Sequence, residues 1–457
     1  MKQLITILFL TSISFSSCKK FLQEEPYNQI ALQDIFKDFE GARTVLVGCY
    51  DQLKETNYYL RDMSVYADMA GGNIKHSRAS SQFQLETYRF ENSPQNNNMA
   101  GFYTTAYNLL YRCNTIIDNV NRIQDADSIK KNRMLADAYT IKAMVQFDLA
   151  RVFAQAPAFT NDASHTGIIL RVVNTPVVAP QGNPSTVKQV FDAVIADAEK
   201  AIQLYRNSID IYNGDPKVWL NEDAVKALLT RVHLYNNQWP QVITYSSQLI
   251  SSNQYPLIAS GNYNTAWRGK NKLAESIFEL AYGNRIGGSL GDYYNPTRDL
   301  GQLAATDDLL NLYDAADVRG RSSMFISAVK DGRTWFYTKK YLGVNDTANN
   351  IRLFRISEVI LSRAEAYAEL NDFTNALLDL NRIRKRANPA AVDFLSNDKN
   401  AIIHEILNER RRELCFEGHL LFDLSRKKRN VVRTDCIGLN CTVTYPDPKF
   451  IVPFPVF

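Results

Sequence analysis

The 457-residue sequence lacks several features that would point to particular functions. Its 52 Lys and Arg residues nearly balance 48 Asp and Glu residues, so the net charge of +4 favours neither nucleic acid nor anionic lipid as a partner. The five histidines are scattered and never lie four positions apart, and no cysteine spacing resembles a zinc site. The sequence therefore predicts neither a metal site nor a catalytic triad. No segment carries the roughly 20 consecutive apolar residues of a transmembrane helix.

The sequence opens on an export signal. Lys2 precedes an apolar run over residues 4–10, and serines lead up to Cys18. This order predicts a signal peptide over residues 1–17, and a cysteine straight after small residues matches a bacterial lipobox. We therefore predict that Cys18 becomes the first mature residue and carries acyl chains, which together anchor a protein stably. A plain cleavable signal followed by a chance cysteine is the alternative.

Export places the other cysteines in an oxidising compartment, where a disulfide is possible. Cys436 and Cys441 are the candidate pair, because they flank a glycine-containing turn that could bring their Cα atoms into disulfide range. Cys49, Cys113 and Cys415 lie in apolar helical context, which indicates small core residues rather than ligands.

Apolar residues recur at spacings of three and four through most of the chain, which predicts a mostly α protein. The predicted helices cover residues 31–55, 99–124, 130–154, 186–205, 221–236, 240–251, 354–370, 373–387 and 399–417.

Two of these regions share a pattern in which a helix, a tight turn, an aromatic residue and a second helix follow one another. This is how a tetratricopeptide-like hairpin is built, since neither helix can bury its apolar face alone. The matching positions are Leu229, Arg231, Tyr235 and Trp239 in the first region, and Leu361, Arg363, Tyr367 and Phe373 in the second.

Two stretches are rich in Gly and Asn and interrupt the helical pattern. We predict loop-rich, ligand-facing regions at residues 57–98 and 256–350, the second with a few short strands. In this view residues 18–457 form a single unit whose scaffold lies mainly at residues 31–55, 99–251 and 354–426. Trp335, Tyr337 and Tyr341 alternate with polar residues, as in a strand.

Both ends of the chain resemble the SusD/RagB family of nutrient-uptake lipoproteins, and the resemblance covers nearly the whole chain. Residues 107–119 and the hairpin over residues 363–386 are similar to the family's scaffold helices. The opening matches at Cys18, Phe21, Leu22 and Pro26, and the more specific match near the end comprises Arg411, Arg412, Glu413, Leu414, Phe416, Glu417, Gly418, Asp423, Leu424 and Arg426.

One departure from the family pattern lies at the C-terminus. The family usually ends with Pro-Ile-Pro and then polar and acidic residues, whereas this chain has Pro453, Phe454 and Pro455 and stops at Phe457. We therefore expect a truncated C-terminus. The resemblance implies tetratricopeptide-like helices with an irregular ligand-facing region, placed over a TonB-dependent (SusC-like) outer-membrane barrel, and a glycan or peptide ligand.

Four glutamates, Glu405, Glu409, Glu413 and Glu417, form one stripe of a helix. Paired carboxylates could suggest glycoside hydrolysis, but a stripe on one helix does not place them on opposite sides of a sugar. Basic neighbours such as Arg410 and Arg412 favour a structural ion-pair network instead.

Sugar binding needs flat aromatic faces beside amides or charges. The alternative for each aromatic loop is that its rings pack the loop down. A further residue, His76, is a weaker candidate in the same loop region. The candidate ligand-binding residues are Tyr58, Tyr59, Asn73, Trp267, Tyr293 and Tyr294.

The leading hypothesis is a cell-surface, lipid-anchored outer-membrane protein that captures an oligosaccharide without catalysis and without a cofactor, and delivers it to the barrel. The alternatives are a peptide-binding member of the same uptake system and a helical-repeat scaffold that binds proteins only.

Overall fold

The fold is described from a computed structural model of the chain. It describes residues 32–77, 82–170, 182–269, 273–282, 290–298, 301–341, 350–434, 436 and 440–456. The predicted lipidation site Cys18 lies outside these residues, so that prediction still rests on the sequence. Among the helices described, none is both long and apolar enough to cross a membrane.

Helices dominate the structure, as the sequence predicts. The long helices are α2 (Phe39–Leu53), α3 (Asp62–Gly71), α5 (Ala100–Asn119), α6 (Ser128–Phe153), α7 (Val187–Arg206), α8 (Glu222–Tyr235), α9 (Trp239–Ser251), α14 (Ile356–Glu369), α15 (Phe373–Ala387) and α16 (Lys399–Leu414). The shorter helices are α1 (Leu32–Ile35), α4 (Leu85–Arg89), α10 (Tyr263–Arg268), α11 (Leu290–Tyr294), α12 (Asp307–Leu310), α13 (Arg321–Met324) and α17 (Leu420–Arg426).

The two matching sequence patterns form helical hairpins, α8–α9 and α14–α15. Asn221 caps α8 by accepting from the backbone N–H of Ala224 at 2.9 Å, and Asp372 caps α15 in the same way. Asn237 and Asn371 turn the chain with positive φ angles of 54° and 64°, which asparagine tolerates. Helix α9 packs against α14, so the hairpins stack side by side although a long insert separates them in sequence.

The strands are short and pair in four two-stranded antiparallel sheets within the described residues. The pairs are β1 (Ile74–His76) with β3 (Leu303–Ala305), β2 (Ser276–Leu280) with β6 (Ile351–Arg355), β4 (Phe325–Lys330) with β5 (Arg333–Thr338), and β7 (Val431–Val432) with β8 (Thr442–Val443). The β1–β3 pair ties the first predicted irregular region to the second, with His76 opposite Leu303.

The expectation that residues 57–98 are loop-rich is wrong in part. Helix α3 lies inside this stretch, and all ten of its residues are buried. Its polar residues Asp62, Ser64 and Asp68 are buried together with its apolar ones, so the sequence lacks the exposed polar face that marks a half-exposed helix. The strand prediction at Trp335 and Tyr337 is confirmed by β5. The predicted disulfide is also present, with the Cα atoms of Cys436 and Cys441 5.8 Å apart.

The glutamate stripe is an ion-pair network, but its partners differ from those expected from spacing alone. Arg412 contacts Glu405 and Glu409, as expected, whereas Arg410 donates to Asp423 at 3.0 Å. Residues distant in sequence hold the buried Glu413, namely Arg386 at 2.6 Å, Arg319 at 2.9 Å and Arg355 at 3.0 Å. Burial favours its protonated form, but these arginines hold the pKa of Glu413 well below its ordinary value. An ionised carboxylate cannot serve as a general acid.

Candidate functional site

The structure places Tyr58 and Tyr59 in the core. Their rings stack on one another with centroids 4.4 Å apart, and both hydroxyls donate to Asp148, that of Tyr58 at 2.9 Å. Tyr58 also packs against Phe102. Protein therefore covers the ring faces that were expected to stack on a sugar. The prediction that these two rings contact a ligand is therefore wrong. The alternative is correct for both residues, because their rings pack the loop against the core.

Trp267 is also fully buried, in the insert. The charged groups of Lys340, Arg352 and Arg355 lie 4.9, 5.1 and 5.1 Å from its ring centroid. Such cation–π contacts stabilise a buried aromatic beside charged groups. Trp267 thus packs among the charged groups of the ion-pair network and has no ring face exposed to a ligand. The prediction that it binds ligand, which came from its loop context, is wrong.

Tyr294 and Asn73 are likewise held inside the protein. The ring of Tyr294 stacks with that of Tyr341, with centroids 5.8 Å apart. The amide oxygen of Asn73 accepts from Arg411 Nε at 2.8 Å, and the amide nitrogen donates to Asp68. Contacts within the protein occupy both side chains, so neither is a ligand contact in this structure.

Tyr293, the remaining predicted residue, joins the two irregular regions. Its ring centroid lies 5.0 Å from that of Phe83, and its hydroxyl lies 3.5 Å from Arg61 Nη1. The guanidinium carbon of Arg61 lies 5.2 Å from the Phe83 centroid and 6.0 Å from the Tyr293 centroid. We call these three residues the Arg61 patch. Phe83 and Arg61 are half-buried, whereas Tyr293 is 7% exposed.

A buried carboxylate fixes the orientation of Arg61. Arg61 Nε donates to Asp62 Oδ1 at 2.6 Å, and Gln84 donates to the same oxygen at 3.2 Å. Burial opposes the charge of Arg61, but the hydrogen bond and the charge of Asp62 raise its pKa above the ordinary value. The guanidinium is therefore a permanent cation with a preset direction, which lowers the entropy lost on binding.

His76 lies near the patch and has a different role. Its ring lies at hydrogen-bond distance, 2.8 Å, from the carbonyl oxygen of Phe83, and its centroid lies 4.8 Å from that of Tyr88. Burial lowers the pKa of His76, so the ring is neutral at physiological pH. The residue supports the Phe83 segment, and this contact accounts for it without a ligand.

The Arg61 patch combines a fixed guanidinium, a phenol and a phenyl ring. An oligosaccharide needs donors for its hydroxyl groups and flat apolar surface for its C–H faces, and this set supplies both. Within the part of the chain that the structure describes, no group of three His, Cys, Asp or Glu residues could hold a metal ion. Sequence reasoning missed Phe83, although its position between two glutamines in an irregular region was an available signal.

Comparisons with known proteins agree with this architecture. A family model described as "Starch-binding associating with outer membrane" matches residues 20–234, and the SusD family model matches residues 274–436. The curated SusD-like protein P38 of Formosa agariphila is 24% identical over 490 residues, covering 93% of this chain and 92% of its own length.

Solved structures are similar over the same extent. A SusD superfamily protein of Bacteroides vulgatus is 26% identical, with a TM-score of 0.78 over 92% of this chain and 96% of its own. A SusD-like carbohydrate binding protein of the same species is 22% identical, with a TM-score of 0.75 over 91% and 94%. With both family models, the curated relative and these folds in agreement, the chain belongs to the SusD/RagB family.

Proposed function

We propose that this protein captures an oligosaccharide nutrient at the Arg61 patch and delivers it, chemically unchanged, to a TonB-dependent outer-membrane transporter. The observation that carries the proposal is the meeting of Arg61, Phe83 and Tyr293 from both irregular regions of a SusD/RagB fold. The names of the similar proteins support a glycan, since one is a SusD-like carbohydrate binding protein and one family model is described as starch-binding.

The chemistry of the patch favours a glycan over a peptide as the ligand. The half-buried ring of Phe83, which packs on Tyr293, presents aromatic carbon to sugar C–H groups, and the guanidinium of Arg61 donates to ring or hydroxyl oxygens. A peptide would also need partners for its backbone N–H groups, and the carboxylate that contacts the patch at Arg61, that of Asp62, already accepts from Arg61 and Gln84. A peptide ligand is the second candidate within the same uptake system.

The lipobox-like sequence at Cys18 and the family membership support the proposed anchoring and location. We assign acylation to Cys18, so that the protein is held at the outer membrane and faces the outside of the cell. The helical scaffold then docks on the SusC-like barrel, and the ligand passes between the two proteins. A scaffold that binds only proteins is the competing function.

The test is calorimetric titration of the purified protein with panels of neutral oligosaccharides, acidic oligosaccharides and short peptides. Binding of an oligosaccharide that is recovered unaltered supports capture. Binding of peptides alone supports the second candidate. Hydrolysis of any oligosaccharide would contradict the non-catalytic proposal, and binding to the barrel without any small ligand would favour the scaffold.

A further inference from the structure

A small cavity lies beside the family's most specific sequence segment. It is formed where the start of α3, the end of α6, helix α8, strand β6 and the turn before α17 meet, and its volume is about 20 Å³. One bound water requires at least about 10–15 Å³ of such space. The cavity therefore accommodates one water or one monatomic ion, and it is too small for sulfate, phosphate or a carboxylate group.

The lining contains hydrogen-bond donors that the protein leaves unused. Within the described residues, Nε of Arg151, Nε of Arg352 and Nδ1 of His419 have no hydrogen-bond partner. These residues are 8%, 4% and 6% exposed. The nearest carboxylate to Arg352 Nε, that of Glu279, is 3.8 Å away, which is beyond hydrogen-bond range. Unused buried donors are costly, so an occupant that accepts hydrogen bonds stabilises the fold.

One of the charges that line the cavity has no close counterion. Arg151 is bound by Asp148 and Arg231 by Glu358, whereas Arg352 has Glu279 only at 3.8 Å. Glu417 is the one carboxylate among the described lining residues. Glu417 is already bound to Lys340 at 2.6 Å and to Arg355 at 2.8 Å.

The unused guanidinium atoms suit an anion. An arginine Nε–H can only donate and an anion only accepts, whereas a water at the same place would also need acceptors for its own two protons. Burial, with Arg231, Arg410 and Arg151 nearby, holds the pKa of His419 well below its ordinary value. The imidazole is therefore neutral, and it donates to the cavity in the tautomer that carries its proton on Nδ1.

We propose that this cavity is a structural site for a halide, chloride under physiological conditions. The ion connects Arg151 of α6, Arg352 of β6 and His419 of the turn that leads into α17. It thereby holds together helices that lie far apart in sequence. This inference concerns the core and does not depend on ligand capture at the Arg61 patch.

The decisive experiment is crystallography of the protein soaked in sodium bromide, with data collected at the bromine absorption edge. An anomalous peak in the cavity, within about 3.5 Å of Arg352 Nε and His419, is expected. A well-ordered water with no anomalous signal at that position would overturn the proposal.

A solution measurement adds a matched control. At constant ionic strength, replacing sodium gluconate by sodium chloride is expected to raise Tm by about 2 °C for each tenfold increase in chloride above its Kd. Arg352→Met should abolish the rise, and Arg382→Met, which removes an exposed guanidinium of α15, should retain it. An equal chloride response in both variants would contradict the site. If Arg352→Met does not fold, the bromide experiment on the unmodified protein decides.

Discussion

The guanidinium of Arg231 is bound by both carboxylate oxygens of Glu358, at 2.7 and 2.6 Å, across 127 positions of sequence. Each side chain is less than 8% exposed. The pair joins α8 of the first hairpin to α14 of the second. The matching arginine of the second hairpin, Arg363, instead binds Asp379 of its own hairpin at 2.7 and 2.9 Å. The shared sequence position thus fixes different contacts, one between hairpins and one within a hairpin.

Glu358→Gln is expected to lower the free energy of unfolding by about 3–5 kcal/mol, because it leaves the charge of Arg231 buried without a counterion. Urea denaturation measures this change. The control is Glu222→Gln, which weakens the partly exposed ion pairs with Arg206 and Lys226 and should cost about 1 kcal/mol or less. Equal costs for the two variants would show that the hairpins do not depend on the buried pair.

Gly418→Ala is expected to destabilise the protein by about 3 kcal/mol or more, since Gly418 has φ +79° and an added Cβ would lie 2.6 Å from the carbonyl oxygen of Met63. Gly214→Ala provides the control, because Gly214 has φ +100° but no atom within 4 Å of the added Cβ. In that variant only the backbone strain remains, which should destabilise the protein by about 1 kcal/mol. Thermal unfolding of the two variants separates the close approach from the strain.

The contribution of Asp68 to the stability of the protein should fall as pH rises from about 4 to 7. Burial raises the pKa of Asp68 to about 6, from 3.8, although hydrogen bonds from Asn73 and Gly418 oppose the change. The pKa of Asp68 is higher in the folded state than in the unfolded state. Its contribution to stability is therefore fully present below about pH 4 and is lost as pH rises through 6. The difference in pKa corresponds to roughly 3 kcal/mol.

Asp68→Asn provides the comparison for this pH dependence. The difference in unfolding free energy between the unmodified protein and the variant, measured in urea at pH 4, 5, 6 and 7, should decrease by up to about 3 kcal/mol. A constant difference across this range would contradict the raised pKa.

Tyr59→Phe tests the reassignment of the predicted aromatic loop to the core. It removes one hydrogen bond to the buried Asp148 and should cost about 1.5–3 kcal/mol of stability. The affinity for an oligosaccharide should not change, because the ring lies in the core. An affinity loss with unchanged stability would restore the ligand role that its loop context suggested.

Much of the helical scaffold could be predicted, because its helices have one apolar face and clear caps. The predicted segment 373–387 coincides with α15, and 221–236 extends one residue beyond α8 at each end. Helix α3 was missed because it is buried on every side, so its sequence has no polar face to mark the period.

The candidate site was harder to predict than the scaffold. Aromatic residues near Gly and Asn indicate an irregular region, but composition does not show which ring faces are covered. Tyr293 and Tyr294 are adjacent in sequence, yet the first contacts Arg61 and the second packs against Tyr341 and Phe416. Arg61 and Phe83 join Tyr293 only through the pairing of distant segments, which the sequence pattern does not encode.

The equilibrium affinity of Phe83→Ala for an oligosaccharide that the unmodified protein binds tests the central claim most directly. Phe83 supplies the most accessible aromatic surface of the Arg61 patch, and its loss should weaken binding about tenfold, or roughly 1.4 kcal/mol. Leu378→Ala, at a 67% exposed position on α15, is the control and should bind like the unmodified protein. A tenfold loss confined to Phe83→Ala, with the protein still folded, is the result we expect. Equal affinities for all three proteins would contradict capture at this patch.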